Sequence, residues 1–122
     1  MLLAIAITVL NFANPHDIVV NEEGVGKTYH VSDTLQIKSG DAHKIGFSLD
    51  IAGANGSSCE MKGTAARVVD HFEYTEKKCV LQITFDKKHA SVTDVGDICR
   101  LDWCGARASI GTTEFKRAKK KR

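Results

Sequence analysis

The sequence predicts an all-β fold: a small antiparallel meander that closes as a barrel or sandwich and is braced by disulfides. Short runs of alternating apolar and polar residues recur about every 10–12 residues, with turn-forming residues between them. The 122 residues include four cysteines and one proline, and 43% of them are hydrophobic. This composition is typical of one globular domain and excludes both a multidomain protein and a wholly disordered chain.

The first thirteen residues, MLLAIAITVLNFA, are apolar and uncharged. Their length fits the hydrophobic region of a signal peptide and is too short for a membrane-spanning helix. We therefore interpret residues 1–13 as a signal-peptide remnant, residues 14–115 as a single β domain and residues 116–122 as a basic tail. The alternative for the first segment is an N-terminal strand or helix of the core.

The first candidate strands lie in the N-terminal half of the domain. Thr28–Ile37 is strand-like, and the preceding GVGKT is a glycine-containing turn rather than a phosphate-binding loop, because Asn21 stands where that loop needs glycine. In His43–Ile51 every second residue from Ile45 onward is apolar, which is the pattern of a half-buried strand. Ala52–Ser58 contains Asn55-Gly56 and is predicted to be the following turn.

Further strands are predicted in the C-terminal half. They are Cys59–Val69 with Met61 and Val68 inward, a short strand at Phe72 and Tyr74, Cys79–Phe85 with Leu81, Ile83 and Phe85 on one face, His89–Val95 with Ala90, Val92 and Asp94 on one face, and Ile110–Lys116 with Ile110 and Phe115 as its apolar residues. Polar turns separate them at Asp70-His71, Lys77-Lys78 and Asp86–Lys88. The best helical candidate is the short segment Ala106–Ile110.

The four cysteines predict two disulfides. Cys59, Cys79, Cys99 and Cys104 are even in number and lack the C-x-x-C spacing of zinc ribbons and redox dithiols. Disulfides form in oxidising compartments, which agrees with export. Three pairings are possible, and the predicted strand order favours Cys59 with Cys79 and Cys99 with Cys104.

The charges are divided unevenly along the chain. Six of the 17 basic residues lie in the last seven positions, so residues 1–115 carry 15 acidic and 11 basic residues, a net charge of −4. An acidic body lacks the broad basic face of a nucleic-acid-binding protein, and no nucleic-acid partner is expected. The basic tail is a solvated end or a segment that contacts anionic surfaces.

No motif in the chain predicts catalysis or a cofactor. The five histidines are scattered without an i, i+4 pair, and neither an H-E-x-x-H nor a G-x-S-x-G motif is present. We therefore expect no catalytic residue, metal or cofactor. An enzyme whose site residues are dispersed along the sequence remains the alternative.

The segment CRLDWCGARASIG, residues 99–111, is the most distinctive part of the sequence. It holds Trp103 and two arginines beside a short cysteine spacing, and tryptophan and arginine are favoured as anchors of protein interfaces. Trp103 and Arg107 are therefore candidate partner-binding residues. In the alternative interpretation Trp103 plugs one end of the barrel and Arg107 pairs with Asp102 or Asp97.

The cysteine-bearing segments also carry a resemblance. They are Cys59-Glu60-Met61-Lys62-Gly63, Cys79-Val80-Leu81, and Cys99-Arg100 followed by Cys104-Gly105-Ala106-Arg107-Ala108-Ser109 before the last strand. Over residues 43–117 this arrangement resembles small exported bacterial proteins that include the periplasmic lysozyme inhibitors, which are small antiparallel β-barrels. In that family an SG-containing loop and a later Y-x-x-x-T-K-G segment enter the lysozyme cleft. Ser39-Gly40 would stand for the first, and Tyr74 to Lys77 for the second, without its spacing and its glycine.

The resemblance implies a periplasmic or extracellular protein-binding module that inhibits lysozyme or another cell-wall hydrolase. Its partner would be a basic hydrolase or another envelope protein, which an acidic body attracts. The partner-binding residues it suggests, together with the tryptophan segment, are Ser39, Gly40, Tyr74, Lys77, Trp103 and Arg107. The alternative is an envelope β-barrel that binds a small ligand or a toxin.

Overall fold

The structure, a computed structural model, describes residues 8–39, 42–53, 57–106 and 108–118. In this part of the chain eight antiparallel strands form a closed barrel in which each strand pairs with the next and the last pairs with the first. The strands are β1 (Thr8–Glu22), β2 (Val25–Ser39), β3 (Lys44–Ala52), β4 (Ser58–Val68), β5 (His71–Glu76), β6 (Cys79–Phe85), β7 (His89–Asp94) and β8 (Thr112–Arg117). The prediction of a disulfide-braced, all-β meander is confirmed.

The barrel has two ends, which we name for reference. The upper end holds the last residues of β3 and β7 and the first residues of β4 and β6. The lower end holds Ser39, Val68 and Phe85, the last residues of β2, β4 and β6, and Lys44, the first residue of β3.

Apolar side chains that alternate along the strands fill the barrel interior. The buried apolar residues of the strands are Phe12, Leu35, Ile37, Ile45, Phe47, Leu49, Ile51, Cys59, Met61, Ala65, Cys79, Leu81, Ile83, Ala90, Val92 and Phe115. The inward positions predicted for β3, β6 and β7 are correct, with Phe85 only half-buried where β6 reaches the lower end. One buried face per strand is the arrangement that produces a period of two in the sequence.

Two predictions in the C-terminal half are wrong. Val68 was expected to point inward but is 40% exposed, because the buried positions of β4 (Cys59, Met61 and Ala65) are odd-numbered and side chains alternate between the faces. The expected helix at Ala106–Ile110 is absent from the described residues of that segment. A short helix, α1 (Arg100–Trp103), forms earlier instead.

A buried carboxylate explains the position of α1. Asp94 is buried at the end of β7, and its oxygens accept hydrogen bonds from the backbone N–H groups of Cys99 at 2.9 Å and Arg100 at 3.1 Å. These amides would otherwise lack partners at the start of the helix. Within the described residues, no helix has the length and apolar character needed to cross a bilayer.

The expected domain boundaries fall inside strands. Residues 8–13 belong to β1, where buried Phe12 pairs with Leu35 of β2 and Arg117 of β8. The expected limit between residues 13 and 14 therefore lies within the barrel wall, and the expected start of the tail at Lys116 lies within β8. Residues 1–7 and 119–122, which belong to the expected leader and tail, lie outside the described residues, as do Asn55 and Gly56 of the expected turn.

The favoured disulfide pairing is wrong. The sulfurs that lie at bonding distance are those of Cys59 with Cys104 and of Cys79 with Cys99. The connection between β7 and β8 folds back over the upper end, where Cys104 bridges to Cys59 and the N–H of Gly105 donates to the carbonyl of Ser58 at 2.8 Å. Pairing by strand order failed because this return crosses from β7 to β4.

Tyr74 points into the barrel and occupies space that β4 leaves at a glycine. Its ring packs edge-to-face on Phe47, with 5.3 Å between ring centroids, and a Cβ placed on Gly63 would lie 2.6 Å from its Cε1 atom. The Tyr74 hydroxyl donates to Glu76 at 2.6 Å, and this hydrogen bond raises the pKa of Tyr74 to about 12. Gly63 is therefore required by side-chain packing.

The disulfide pairing can be checked by peptide mapping. Proteolysis without reductant should release peptides that link Cys59 to Cys104 and Cys79 to Cys99, and reductant should separate both. In the loop-closure account, removing these cross-links by paired Cys→Ser substitution should lower the free energy of unfolding by about 4 and about 3 kcal/mol, respectively. A peptide that links Cys59 to Cys79 would contradict the described fold.

The packing of Tyr74 predicts a position-dependent cost for adding one methyl group. Gly63→Ala should lower the free energy of unfolding by about 1–3 kcal/mol, because the added carbon overlaps the tyrosine ring. Gly46→Ala is the matched control in β3, where the nearest atom to the added carbon is 3.9 Å away. Urea denaturation compares the two variants, and an equal effect at both positions would contradict the packing described.

Candidate functional site

The first two strands run well beyond the barrel wall. The β1–β8 ladder ends at Ala13, and the β2–β3 ladder begins at Thr34. Between these limits Asn14–Glu22 pairs only with Val25–Asp33 among the described residues. We call this two-stranded ribbon the arm. It comprises nine residue pairs, which at 3.3 Å per residue span about 30 Å, and its base lies beside the ends of β3 and β8.

One face of the arm continues the inward face of the barrel. The register that places Phe12 opposite Leu35 in the core places Ile18 opposite Tyr29 further along. We call this side the apolar face; its apolar residues are Ile18, Val20, Val25, Tyr29 and Val31. Val25 is 60% exposed and Tyr29 is 41% exposed. The arm thus exposes to solvent a row of apolar side chains on the face that is buried within the barrel.

The tip of the arm is held by backbone and side-chain contacts. Glu23 and Gly24 form the two-residue turn with φ of 53° and 79°, which is the type I′ geometry favoured between antiparallel strands. The carboxylate of Glu22 accepts from the Tyr29 hydroxyl at 2.8 Å and pairs with the Lys27 ammonium at 3.1 Å. The hydrogen bond from Tyr29 is the largest cause of a lowered pKa of Glu22, and the hydrogen bond from Lys27 is the second cause. The hydrogen bond between Tyr29 and Glu22 also raises the pKa of Tyr29.

The base of the arm is fastened to the barrel by one buried carboxylate. Asp33 is 4% exposed and accepts hydrogen bonds from the Ala52 backbone N–H at 2.8 Å and from the Asn14 side-chain amide at 3.3 Å. Its Oδ1 atom also lies 2.7 Å from Nε2 of His16. Asp33 therefore links both arm strands to the end of β3.

A polar cleft lies beside this base. It has a volume of about 630 Å³ and is lined by residues of the arm, of β3 and of the start of β8, namely Asn14, His16, Asp33, Ile51, Ala52, Ser109, Thr112, Thr113 and Glu114. Within the described residues, no group of three histidine, cysteine or acidic side chains is arranged to hold a metal ion. The cleft presents hydroxyl, amide, imidazole and carboxylate groups to solvent.

The residues suggested by the resemblance lie at both ends of the barrel. Ser39 ends β2 at the lower end, whereas Lys77 lies in the β5–β6 turn at the upper end with φ of 54°. Tyr74 points into the barrel near the same turn. Ser39 and the Tyr74–Lys77 segment therefore do not form one surface. Gly40 and Arg107 lie outside the described residues.

Trp103 lies on α1 at the upper end. It is half-buried and packs against the barrel core. Arg100 on the same helix forms an ion pair with Asp97, with 2.5 Å between Nε and Oδ2. The described residues between Val95 and Ile110 thus form a cross-linked cover over the upper end of the barrel, and part of this cover is exposed to solvent.

The arm is missing from the predicted elements: no strand is predicted for residues 14–22, and the strand predicted from Thr28 begins at Val25. The available signal was the pair Glu23-Gly24 between two runs rich in β-branched residues, which is a hairpin signature. Three consecutive apolar residues, Ile18 to Val20, obscured the alternation.

No protein-family model, curated protein or solved structure matches this chain. The arm and the cleft are therefore interpreted from their own geometry.

Removal of the Asp33 carboxylate should destabilise the base of the arm. Asp33→Ala leaves the Ala52 N–H without its acceptor and should lower the free energy of unfolding by about 1–3 kcal/mol, with faster hydrogen exchange of arm amides. Asp17→Ala is the control, because its carboxylate contacts His30 in an exposed pair and its loss should change stability by less than about 0.5 kcal/mol. Equal losses in urea denaturation would rule out a special role for Asp33.

Proposed function

We propose that the protein is an exported protein-binding module that uses its arm to contact a basic partner, and that this partner is a cell-wall hydrolase of the lysozyme type. The observation that carries the proposal is the arm itself: a two-stranded ribbon of nine residue pairs with an exposed apolar face. The two disulfides support an oxidising compartment, where such cross-links persist.

The exposed apolar residues support a contact with another protein. An isolated two-stranded ribbon is marginally stable in water, and exposed apolar patches on soluble proteins commonly mark interaction sites. Val25 and Tyr29 on the apolar face are each more than two-fifths exposed. A partner that covers the apolar face would bury these side chains and stabilise the ribbon.

The charge of the arm supports a basic partner. Between Asn14 and Asp33 the sequence has four acidic residues and one lysine, and Glu22 and Glu23 lie at the tip. An acidic projection on an acidic body attracts a positively charged protein and raises the association rate at low salt.

The shape of the arm supports occlusion of a cleft. Its tip is fixed by the type I′ turn and by the bonds that Glu22 makes with Tyr29 and Lys27, so little conformational freedom is left to lose on binding. A narrow, ordered projection can fill an active-site cleft without supplying catalytic groups. In this proposal the arm takes the role that the resemblance gave to Ser39-Gly40 and the Tyr74–Lys77 segment.

The polar cleft at the base of the arm supports a second candidate function, the binding of a small polar ligand. Its hydroxyl, amide and carboxylate groups converge beside buried Asp33. The barrel interior is a poorer candidate for a ligand, because apolar side chains fill it.

The test measures binding and inhibition of basic peptidoglycan hydrolases, including a c-type lysozyme, by the disulfide-bonded protein. Wild type should inhibit at least one hydrolase, and Glu23→Lys at the tip should weaken binding at low salt by about tenfold. Glu60→Lys, which makes the same charge change on the exposed face of β4, is the control and should bind as wild type does.

Two results would overturn parts of the proposal. Full hydrolase activity in the presence of micromolar wild-type protein would exclude the hydrolase partner. Equal weakening by Glu23→Lys and Glu60→Lys would exclude the arm as the contact and leave only the net charge.

A further inference from the structure

The two edges of the arm differ in their capacity to pair with another strand. Pro15, the only proline of the chain, lies on the β1 edge opposite Ser32. The β2 edge, residues Val25–Ser32, contains no proline and pairs with no other strand among the described residues beyond β1. The ladder to β3 starts only at Thr34.

The turn determines which backbone groups point outward. The type I′ turn is closed by the hydrogen-bonded pair Glu22 and Val25, and hydrogen-bonded and non-hydrogen-bonded pairs alternate from there. On β2 the residues of non-hydrogen-bonded pairs are Gly26, Thr28, His30 and Ser32. Their N–H and C=O groups point away from β1 and are available to a further strand.

The same alternation of hydrogen-bonded and non-hydrogen-bonded pairs determines the orientation of Pro15 on the β1 edge. It belongs to a non-hydrogen-bonded pair, so its nitrogen points outward, and it has no N–H to donate. Proline at this position is one of the devices by which proteins block strand addition. The β1 edge is therefore interrupted at the base of the arm, whereas the β2 edge contains no proline from Val25 to Ser32.

We infer that the β2 edge of the arm pairs with the same edge of a second copy of this chain, antiparallel, about a two-fold axis through Thr28. This arrangement joins two arms into a four-stranded sheet with a barrel at each end. It does not rest on the hydrolase proposal, and measurements on the protein alone test it separately.

The sequence of the β2 edge is complementary to itself in this register. Val25 lies opposite Val31 of the second copy and Lys27 lies opposite Tyr29 on the apolar face, while Thr28 meets Thr28 on the other face. The residues whose backbone N–H and C=O groups point outward then lie opposite one another, because Gly26 lies opposite His30 of the second copy. No pair of like charges is opposed. The Lys27 ammonium approaches the ring of the second copy's Tyr29, whose hydroxyl is bonded to Glu22.

The pairing would stabilise the arm, which as a two-stranded ribbon is marginally stable in water. Three or more strands with an apolar face are needed for an independently stable sheet, and the dimer supplies four. Both outer edges of that sheet are β1 strands, each with Pro15 at its base, and proline there disfavours the addition of further strands. The contact is isologous and closed rather than fibre-forming.

Sedimentation velocity over a range of concentrations tests the inference. The weight-average mass of the wild-type protein should rise from the monomer value of 13.3 kDa toward twice that value as concentration increases. Thr28→Lys places two lysines opposite each other at the axis and should keep the protein monomeric. Val19→Lys makes a lysine at the residue opposite Thr28 on β1, an exposed position on the other edge, and should leave dimerisation unchanged.

The outcomes separate the inference from its alternatives. A wild-type protein that stays at the monomer mass at every concentration would overturn the inference, and so would equal association of Thr28→Lys and Val19→Lys. Amide exchange of the arm in each variant verifies that the ribbon is intact. Pro15→Thr restores an outward N–H on the β1 edge and should produce species larger than the dimer; a strictly dimeric Pro15→Thr would overturn the role of Pro15.

Discussion

The clamp formed by the two disulfides is the constraint on which the rest of the structure depends. β4 and β5 pair only from Ala66 to Val68, so the upper half of β4 has no described strand on that side. The returning β7–β8 connection covers it, held to β4 by Cys59–Cys104 and to β6 by Cys79–Cys99. The upper end is thus closed by a cross-linked cover, and the upper halves of β1 and β2 are left to form the arm.

The parts of the fold that could be predicted are those in which one residue in two is buried. The alternation in β3, β6 and β7 is visible in the sequence because their inward positions are almost all apolar. The disulfide pairing and the position of α1 were not predictable in this way. They depend on the connection after Asp94 crossing the upper end to reach Ser58, a contact between residues far apart in the sequence.

The arm was harder to predict than the barrel because its pattern is ambiguous. Both of its faces are largely exposed, so selection for a strict alternation of apolar and polar residues is weak, and Ile18, Val19 and Val20 are apolar in succession. The interpretation of residues 1–13 as a leader also removed the first part of β1 from the expected domain, although Phe12 fills the core. For the candidate site, a linear resemblance placed Ser39 and Lys77 together, whereas an antiparallel barrel sends them to opposite ends.

The separation of the arm from the lower end gives the molecule an electric dipole moment along the barrel axis. The acidic arm extends from one end, while basic side chains gather where β8 and the β6–β7 turn meet at the other: Lys87, Lys88, Lys116 and Arg117. A dipole of this kind experiences a torque near a charged layer. Beside a negatively charged surface the favoured orientation has the basic end toward that surface and the ribbon directed into the surrounding solution, where a diffusing protein would first meet it.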